Sequence, residues 1–164
     1  MTTIISFCVF CGEKLKTKQM VNNAQQICSP CNRIAYSDPK LVAGILLIEG
    51  NKVLLVQRDI EPGRGKWAIP CGYVNRGEEI EKAAIRELYE ETGIEANVGA
   101  LVGLYSKTDD PIALAIYTGI RGGGFLQARE ETQNVGFWLL SELPDLAFTR
   151  DLQIINDWFS QSSR

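Results

Sequence analysis

The chain has 164 residues, 45% of them hydrophobic and 23% charged, with a formal net charge of −3. Those proportions are globular and exclude a disordered polyelectrolyte. No run of 18 apolar residues occurs, which excludes a transmembrane helix, and no histidine occurs, which removes histidine triads, bases and metal ligands. Acid/base or metal chemistry must therefore come from carboxylates, thiols, lysine, tyrosine or bound water.

The first stretch, "MTTIISFCVFCGEK", has no basic n-region and no small-residue cleavage site. It does not read as a signal peptide, so a cytoplasmic, reducing setting is expected, with the cysteines outside disulfides. Cys8, Cys11, Cys28 and Cys31 form C-x2-C-x16-C-x2-C, the spacing of a zinc ribbon. Each C-x2-C pair puts two thiolates on one tight turn, and two such turns close a tetrahedron around Zn²⁺. A closed four-thiolate site is structural, and the metal would supply much of the folding free energy of so small a unit. A redox pair and a chance spacing are the rival readings of these thiols. Residues 1–36 are expected to form the ribbon and residues 37–164 a second domain. The linker is "AYSDPK", Ala35 to Lys40, with Pro39 marking the boundary.

Charge divides along the same line. Residues 1–40 carry Lys14, Lys16, Lys18, Arg33 and Lys40 against Glu13 and Asp38, whereas residues 41–164 carry 12 basic and 18 acidic residues. The acidic part disfavours a nucleic-acid-coating surface. It still allows an anionic substrate if divalent cations bridge the two.

"LVAGILLIE" and "KVLLVQR" flank Gly50-Asn51 and predict a hairpin. "DIEPGRGK" is a loop and "WAIP" a short apolar stretch. A helix is expected from about Glu78 to Thr92, with Ile80, Ala83, Ala84 and Leu88 at helical spacing. Asn75 and Glu78 resemble a capping box, and Gly93 suits a left-handed cap. Strands are expected near Ala96–Tyr105, Ile112–Arg121 and Val135–Leu139. A turn is expected at Gly122-Gly123-Gly124, then a short run at Phe125–Gln127. A last amphipathic helix starts at a Thr149 cap, with Leu152, Ile155, Trp158 and Phe159 inward. Strands with only two helices predict a mixed α/β sandwich.

Glu87, Glu90 and Glu91 crowd the C-terminal end of the first helix, where the backbone dipole is unfavourable to them by roughly 0.3–1 kcal/mol each. They lie within an arc of about 100° that also contains Ile80 and Ala84, so they face a cleft at the edge of the core. Either their pKa values rise or cations neutralise them, and Mg²⁺ prefers such oxygen ligands. On this stretch alone a frayed, solvated helix end is an equal alternative.

From Gly72 the chain reads G-x5-E-x7-R-E-L-Y-E-E-T-G-I. This resembles the Nudix box at every fixed position: Gly72, Glu78, Arg86, Glu87, Leu88, Glu90, Glu91, Gly93 and Ile94. The resemblance implies a Nudix α/β/α sandwich that hydrolyses a nucleoside diphosphate linked to another moiety, with Mg²⁺ or Mn²⁺. It implies that Glu87, Glu90 and Glu91 ligate the metals, that the Gly72 region adds a backbone carbonyl, and that Arg86 pairs with a glutamate, Glu78 being the expected partner. The general base is not fixed by the resemblance. Glu130 and Glu131, in "AREETQNV", are candidates for an extra ligand, base or substrate contact, a solvated loop pair being the ordinary alternative. Relatives often place glutamate where Asn134 stands, which favours a base inside the box.

Arg58 ends a strand and is a candidate phosphate clamp. Trp67, Tyr73 and Tyr105 are aromatics that stack on bases or fill cores; Tyr73, beside the box loop, is carried forward as a substrate contact. Phe137, Trp138 and Phe148 read as core, and Cys71 as a small buried thiol. The four-cysteine ribbon is similar to that of the NADH pyrophosphatase group, but the "SQPWPFP"-type stretch of that group is replaced by "LYSKTDDPIALAIY". The layout, with "LPDLAF", is closer to ribbon-bearing relatives of ADP-ribose and FAD pyrophosphatases. The expectation is a pyrophosphohydrolase acting on ADP-ribose, FAD or an NADH-like dinucleotide and releasing AMP, as a homodimer by family habit. Decapping of NAD-capped RNA, or a non-catalytic nucleotide-sensing or nucleic-acid-binding module, are the alternatives, and no membrane partner is expected.

Overall fold

The structure is a computed structural model that describes residues 5–19, 24–36 and 39–162. Residues 1–4, at the start of the stretch read for a signal peptide, lie outside the described residues, as do Ser37 and Asp38 of the expected linker. The chain forms two compact units, residues 1–39 with 108–111, and residues 40–107 with 112–164.

The first unit contains β1 (Lys16–Gln19), β2 (Ala24–Cys28) and β3 (Arg33–Ala35) in one antiparallel sheet. A tight turn precedes them: the Gly12 N–H bonds the Cys8 carbonyl at 2.9 Å, and the Cys8 N–H bonds the Glu13 carbonyl at 2.8 Å. Among the described residues its buried core is Cys8, Leu15 and Cys28, with Ile5, Cys31 and Ala35 packed on it. That is too little apolar surface to hold a fold without help.

The second unit begins with β4 (Lys40–Glu49) and β5 (Lys52–Arg58), and the expected hairpin forms with Gly50 at φ 62°. Then come β6 (Trp67–Ala68), β7 (Cys71–Tyr73), α1 (Ile80–Thr92), β8 (Ile94–Ser106), β9 (Ile112–Gly124), β10 (Thr132–Leu139) and α2 (Thr149–Ser162). The β4–β5 ladder covers only Ile48↔Val53 and Glu49↔Lys52 before the strands part. Beyond that point β4 pairs with β9 and β7, while β5 pairs with β10 and β6. The sheet order is β10-β5-β4-β9-β8, and only β4–β9 is parallel.

Because β4 is central, both its faces are apolar. Ala43, Ile45 and Leu47 pack with Ala83, Ala84 and Leu88 of α1, whereas Val42 and Leu46 pack with Ile154 and Ile155 of α2. The two helices thus cover opposite faces of a mixed sheet, as the sequence predicts. Among the described residues no helix is long and apolar enough to cross a membrane.

Three local expectations are corrected. The Gly122–Gly124 triplet is not a turn but the end of β9, pairing with the start of β8 through Glu95↔Gly123 and Ile94↔Gly124. Gly124 has φ 80°, and a Cβ there would strike the Gly93 carbonyl, so the glycine serves a close backbone crossing beside the end of α1. The following segment, Phe125–Gln127, is not a strand. The expected capping box lies before the helix: the Glu78 carboxylate accepts the Asn75 N–H at 2.9 Å, but the N-cap residue is Glu79 and has no side-chain cap bond. In α2, Thr149 is the first helical residue, and Leu152 and Phe159 are exposed. Asp151 is turned inward instead, accepting the Ile69 N–H at 3.3 Å and rotating the buried face onto Ile154 and Ile155.

Candidate catalytic site

The site is built where α1 ends. Gly93 closes the helix in the left-handed conformation at φ 71°, its N–H bonding the Tyr89 carbonyl, so the last turn is held in register despite its charge. Glu91 is 8% exposed, which decides against a solvated helix end for that residue. Its carboxylate accepts the Cys71 N–H of β7 at 3.1 Å. The Glu87 carboxylate lies against Gly72, so any Cβ at position 72 would occupy the carboxylate's place. The glycine of the motif is thus required by the glutamate packed on it.

Arg86 is the hub. Its Nε and Nη2 donate to both Glu78 oxygens at 2.8 and 2.9 Å, Nη1 donates to Glu87 at 2.7 Å and Glu90 at 2.8 Å, and Nη2 also donates to the Tyr73 carbonyl at 3.0 Å. One planar fork ties the loop, the strand end and the helix together. The expected Arg86–Glu78 pair is present. Glu87 and Glu90 are held on the same guanidinium, so the three box carboxylates do not converge to the spacing of a ligand set. Among the described residues, only the four cysteine thiols do so, within 4.8 Å of one another.

The electrostatics separate these carboxylates. The Arg86 guanidinium, aided by the Asn75 N–H, pulls Glu78 down to about 2. Burial, then the charge of Glu87, pushes Glu91 up to about 8, against the opposing pull of Arg58 and the Cys71 N–H. Burial also raises Glu87, opposed by Arg86, with Glu90 and Glu131 adding repulsion. Burial and the Glu91 charge raise the Cys71 thiol, an inert half-buried group.

Glu130 and Glu131 are both exposed, and the Glu131 charge is the one that acts on Glu87 and Glu91. Glu131 sits at φ 58°. Its loop is pinned to the end of α1: the Arg129 N–H and the Thr132 hydroxyl both donate to the Glu91 carbonyl, at 3.2 and 3.1 Å. Its own carbonyl accepts the Asp59 N–H at 2.8 Å. These contacts join positions far apart in the chain, 41 residues for Thr132 and Glu91, and no local signal in the sequence announces them.

Arg58 donates through Nε to the Pro62 carbonyl at 2.8 Å and stacks on Phe148 at 5.1 Å. Arg150 stacks on the same ring at 4.7 Å. Phe148, expected in the core, is thus half-buried between two cations. Tyr73 is 57% exposed, with the Lys40 ammonium over its ring at 5.7 Å. Trp67 packs edge-on against Trp138 at 4.9 Å, and the Tyr105 hydroxyl donates to Asp157 at 3.0 Å, so both have structural roles. Asn134 is exposed and bonds the N–H of Val135.

The NUDIX domain family pattern matches residues 38–158. The chain belongs to the Nudix family. This Nudix chain is 36% identical over 128 residues to an ADP-ribose pyrophosphatase of Methanocaldococcus jannaschii, covering 75% of each chain. It is 33% identical over 115 residues to a putative 8-oxo-dGTP diphosphatase of Bacillus subtilis, covering 70% of this chain and 75% of that one. Its fold resembles a crystal structure of a NUDIX hydrolase from Nitrosomonas europaea, with TM-score 0.87 and 26% identity, covering 97% of this chain and 93% of that one. The Nudix chain is a pyrophosphohydrolase of this family.

A pH dependence follows from the buried carboxylates. Glu91, raised from 4.5 to about 8, holds a proton in the folded chain that the unfolded chain has lost. Stability of the metal-free Nudix protein therefore falls as pH rises through that window. Asp151, raised by burial from 3.8 to about 7, adds the same sign between its own limits, so the fall from pH 7 to 8 belongs mainly to Glu91. Denaturation midpoints measured in EDTA at pH 6, 7 and 8 should show it, and Glu91→Gln should flatten the last step. An equally steep step in that variant would refute the assignment.

Proposed function

We propose that this enzyme hydrolyses the phosphoanhydride of a nucleoside diphosphate linked to a second moiety, with ADP-ribose as the first candidate substrate and AMP as a product. The observation that carries the reading is the repelling pair of half-buried Glu87 and buried Glu91 beside the box loop, with Glu131 in the same field. The relative named ADP-ribose pyrophosphatase, matched over three quarters of both chains, supports the choice of substrate.

The donor chemistry, carboxylate oxygens in excess of positive charge, fits Mg²⁺ or Mn²⁺ once Glu87 and Glu90 turn from the Arg86 guanidinium toward the ions. Glu87, Glu90 and Glu91, with the Gly72 carbonyl, would hold the ions. When bound, they neutralise the diphosphate, polarise phosphorus and lower the pKa of the attacking water. A box carboxylate takes the proton of that water. Arg86 keeps loop and helix in register, Arg58 clamps a phosphate oxygen, and Tyr73 offers its exposed ring to the base. Reaction in the cytoplasm and a homodimeric state are part of the same proposal.

Zinc is proposed for the four thiols, whose mutual closeness suits a tetrahedral ion. Backbone N–H groups of the turn draw Cys8 down to about 7, whereas the Cys11 and Cys28 thiols push Cys31 up to about 12, a repulsion that a bound cation would relieve. Elemental analysis should find one zinc per chain, lost in Cys28→Ser; a zinc-free wild-type protein would remove the ribbon reading.

The deciding assay offers ADP-ribose, FAD, NADH and 8-oxo-dGTP side by side with Mg²⁺ or Mn²⁺, and follows AMP by chromatography. Metal-dependent AMP release, fastest from ADP-ribose, is expected. No hydrolysis of any of the four would overturn the proposal.

A further inference from the structure

The segment that leads into α2 gathers two arginines that the fold leaves without counter-ions. The Trp67 N–H bonds the Asp145 carbonyl at 2.9 Å, and the Ala147 N–H bonds the Trp67 carbonyl at 2.7 Å. Leu146 and Ala147 therefore run beside β6, which delivers Phe148 next to the end of β5. Gly63, at φ 82°, packs so closely there that a Cβ on it would meet the Ala147 Cβ at 2.8 Å. The Phe148 ring then takes the Arg58 guanidinium at 5.1 Å and the Arg150 guanidinium at 4.7 Å from its centroid. Neither arginine has an ion-pair partner among the described residues. Arg58 spends its Nε on the Pro62 carbonyl, whereas the Arg150 Nε is buried and bonds none of the described residues. Asp151, next in the chain, is turned inward onto the Ile69 N–H, and burial pushes it up to about 7. It neutralises the pair only in part.

Two like charges on one ring repel each other, and a buried guanidinium N–H without an acceptor forfeits the hydrogen bond that water gave it. An anion relieves both costs. The shared ring also holds the two planar forks in place beforehand, which suits an acceptor with several oxygens. The surroundings identify that acceptor. Both charges act on Cys71, the residue before Gly72, and Arg58 also acts on Glu91. The pair thus stands beside the carboxylates assigned to the ions. In a substrate whose first phosphate is held by those ions, the neighbouring group that still carries negative charge is the second phosphate. We infer that Arg150 is a substrate-binding residue, forming with Arg58 and Phe148 a two-guanidinium clamp for the second phosphate of a diphosphate. The clamp selects a bridged diphosphate over a monophosphate, and it rests on the diphosphate reading given above.

The test uses the full-length protein and the variants R150A, R150Q and R150K. Calorimetric titration with inorganic pyrophosphate and with inorganic phosphate, both in EDTA, reads the clamp without turnover. The wild type is expected to bind pyrophosphate more tightly than phosphate. That affinity should fall about 10- to 100-fold in R150A and R150Q, the scale of losing a charge-assisted bond. R150K keeps the charge but not the fork and should recover part of it. With ADP-ribose and Mg²⁺, R150Q should raise KM by a similar factor while kcat stays within about threefold, the split of a lost binding contact. Unchanged circular dichroism in R150Q reports that α2 still docks. The inference is overturned if the wild type does not bind pyrophosphate, if R150A and R150Q bind it as the wild type does, if phosphate binds equally well, or if R150Q loses kcat alone. Arg150-dependent pyrophosphate binding in a protein that leaves ADP-ribose intact would overturn the substrate reading and uphold the clamp. Wild-type ADP-ribose kinetics in all three variants would do the reverse.

Discussion

Replacing Glu91 by Gln is expected to lower kcat for ADP-ribose by about 10³-fold or more, the scale of losing one charge-stabilising group in a water-excluded site. The fold should survive. Glutamine matches glutamate in shape, and its carbonyl oxygen can still accept the Cys71 N–H that the carboxylate accepts now. The metal-free variant should be at least as stable as the wild type at pH 8, because a charge that burial opposes has been removed. Unchanged circular dichroism with turnover lost places the defect in chemistry. Turnover within tenfold of wild type would take Glu91 out of the reaction.

Arg86→Ala should give the largest structural effect. The guanidinium serves Glu78, Glu87, Glu90 and the Tyr73 carbonyl at once, and alanine strands all four acceptors. The side chain keeps 28% exposure, so solvent offsets part of the loss seen for fully buried pairs. A fall in Tm of about 5 °C is the expected scale. Arg86→Lys should recover little, because one ammonium cannot reproduce the bidentate grip on Glu78. The acid limb carries a second signature. Glu78 is depressed from 4.5 to about 2. Its contribution is therefore complete above the unfolded value and is lost as pH falls through that window. Arg86→Ala should flatten this limb. Thermal melts from pH 2 to 6 on both proteins measure it, and identical limbs would contradict the Glu78 account.

Much of this site was readable from spacing alone. Seven residues separate Glu78 from Arg86, and that pair forms as expected. The glutamates at 87, 90 and 91 share one arc, and burial of Glu91 follows from its place next to the apolar stripe. What spacing does not carry is the competition for Arg86. A helix plot puts Glu87 and Glu90 beside Glu91 but does not show that one fork holds both of them. Nor does it place Glu131, whose position depends on bonds from Arg129 and Thr132 to the end of α1.

The same limit explains the errors of the fold reading. Gly122–Gly124 has turn composition, yet the segment stays in the sheet because the crossing beside Gly93 demands glycine. Leu152 and Phe159 are apolar, yet a single polar contact, Asp151 to the Ile69 N–H, sets which face of α2 is buried.

The account depends on the acidic end of α1 being a seat for a hard cation. Titrating the full-length protein with Mn²⁺ and following free Mn²⁺ by electron paramagnetic resonance tests this most directly. Saturable binding of at least one Mn²⁺ per chain is predicted, lost in the Glu87→Gln/Glu91→Gln variant. Equal Mn²⁺ uptake by that variant and the wild type would contradict it.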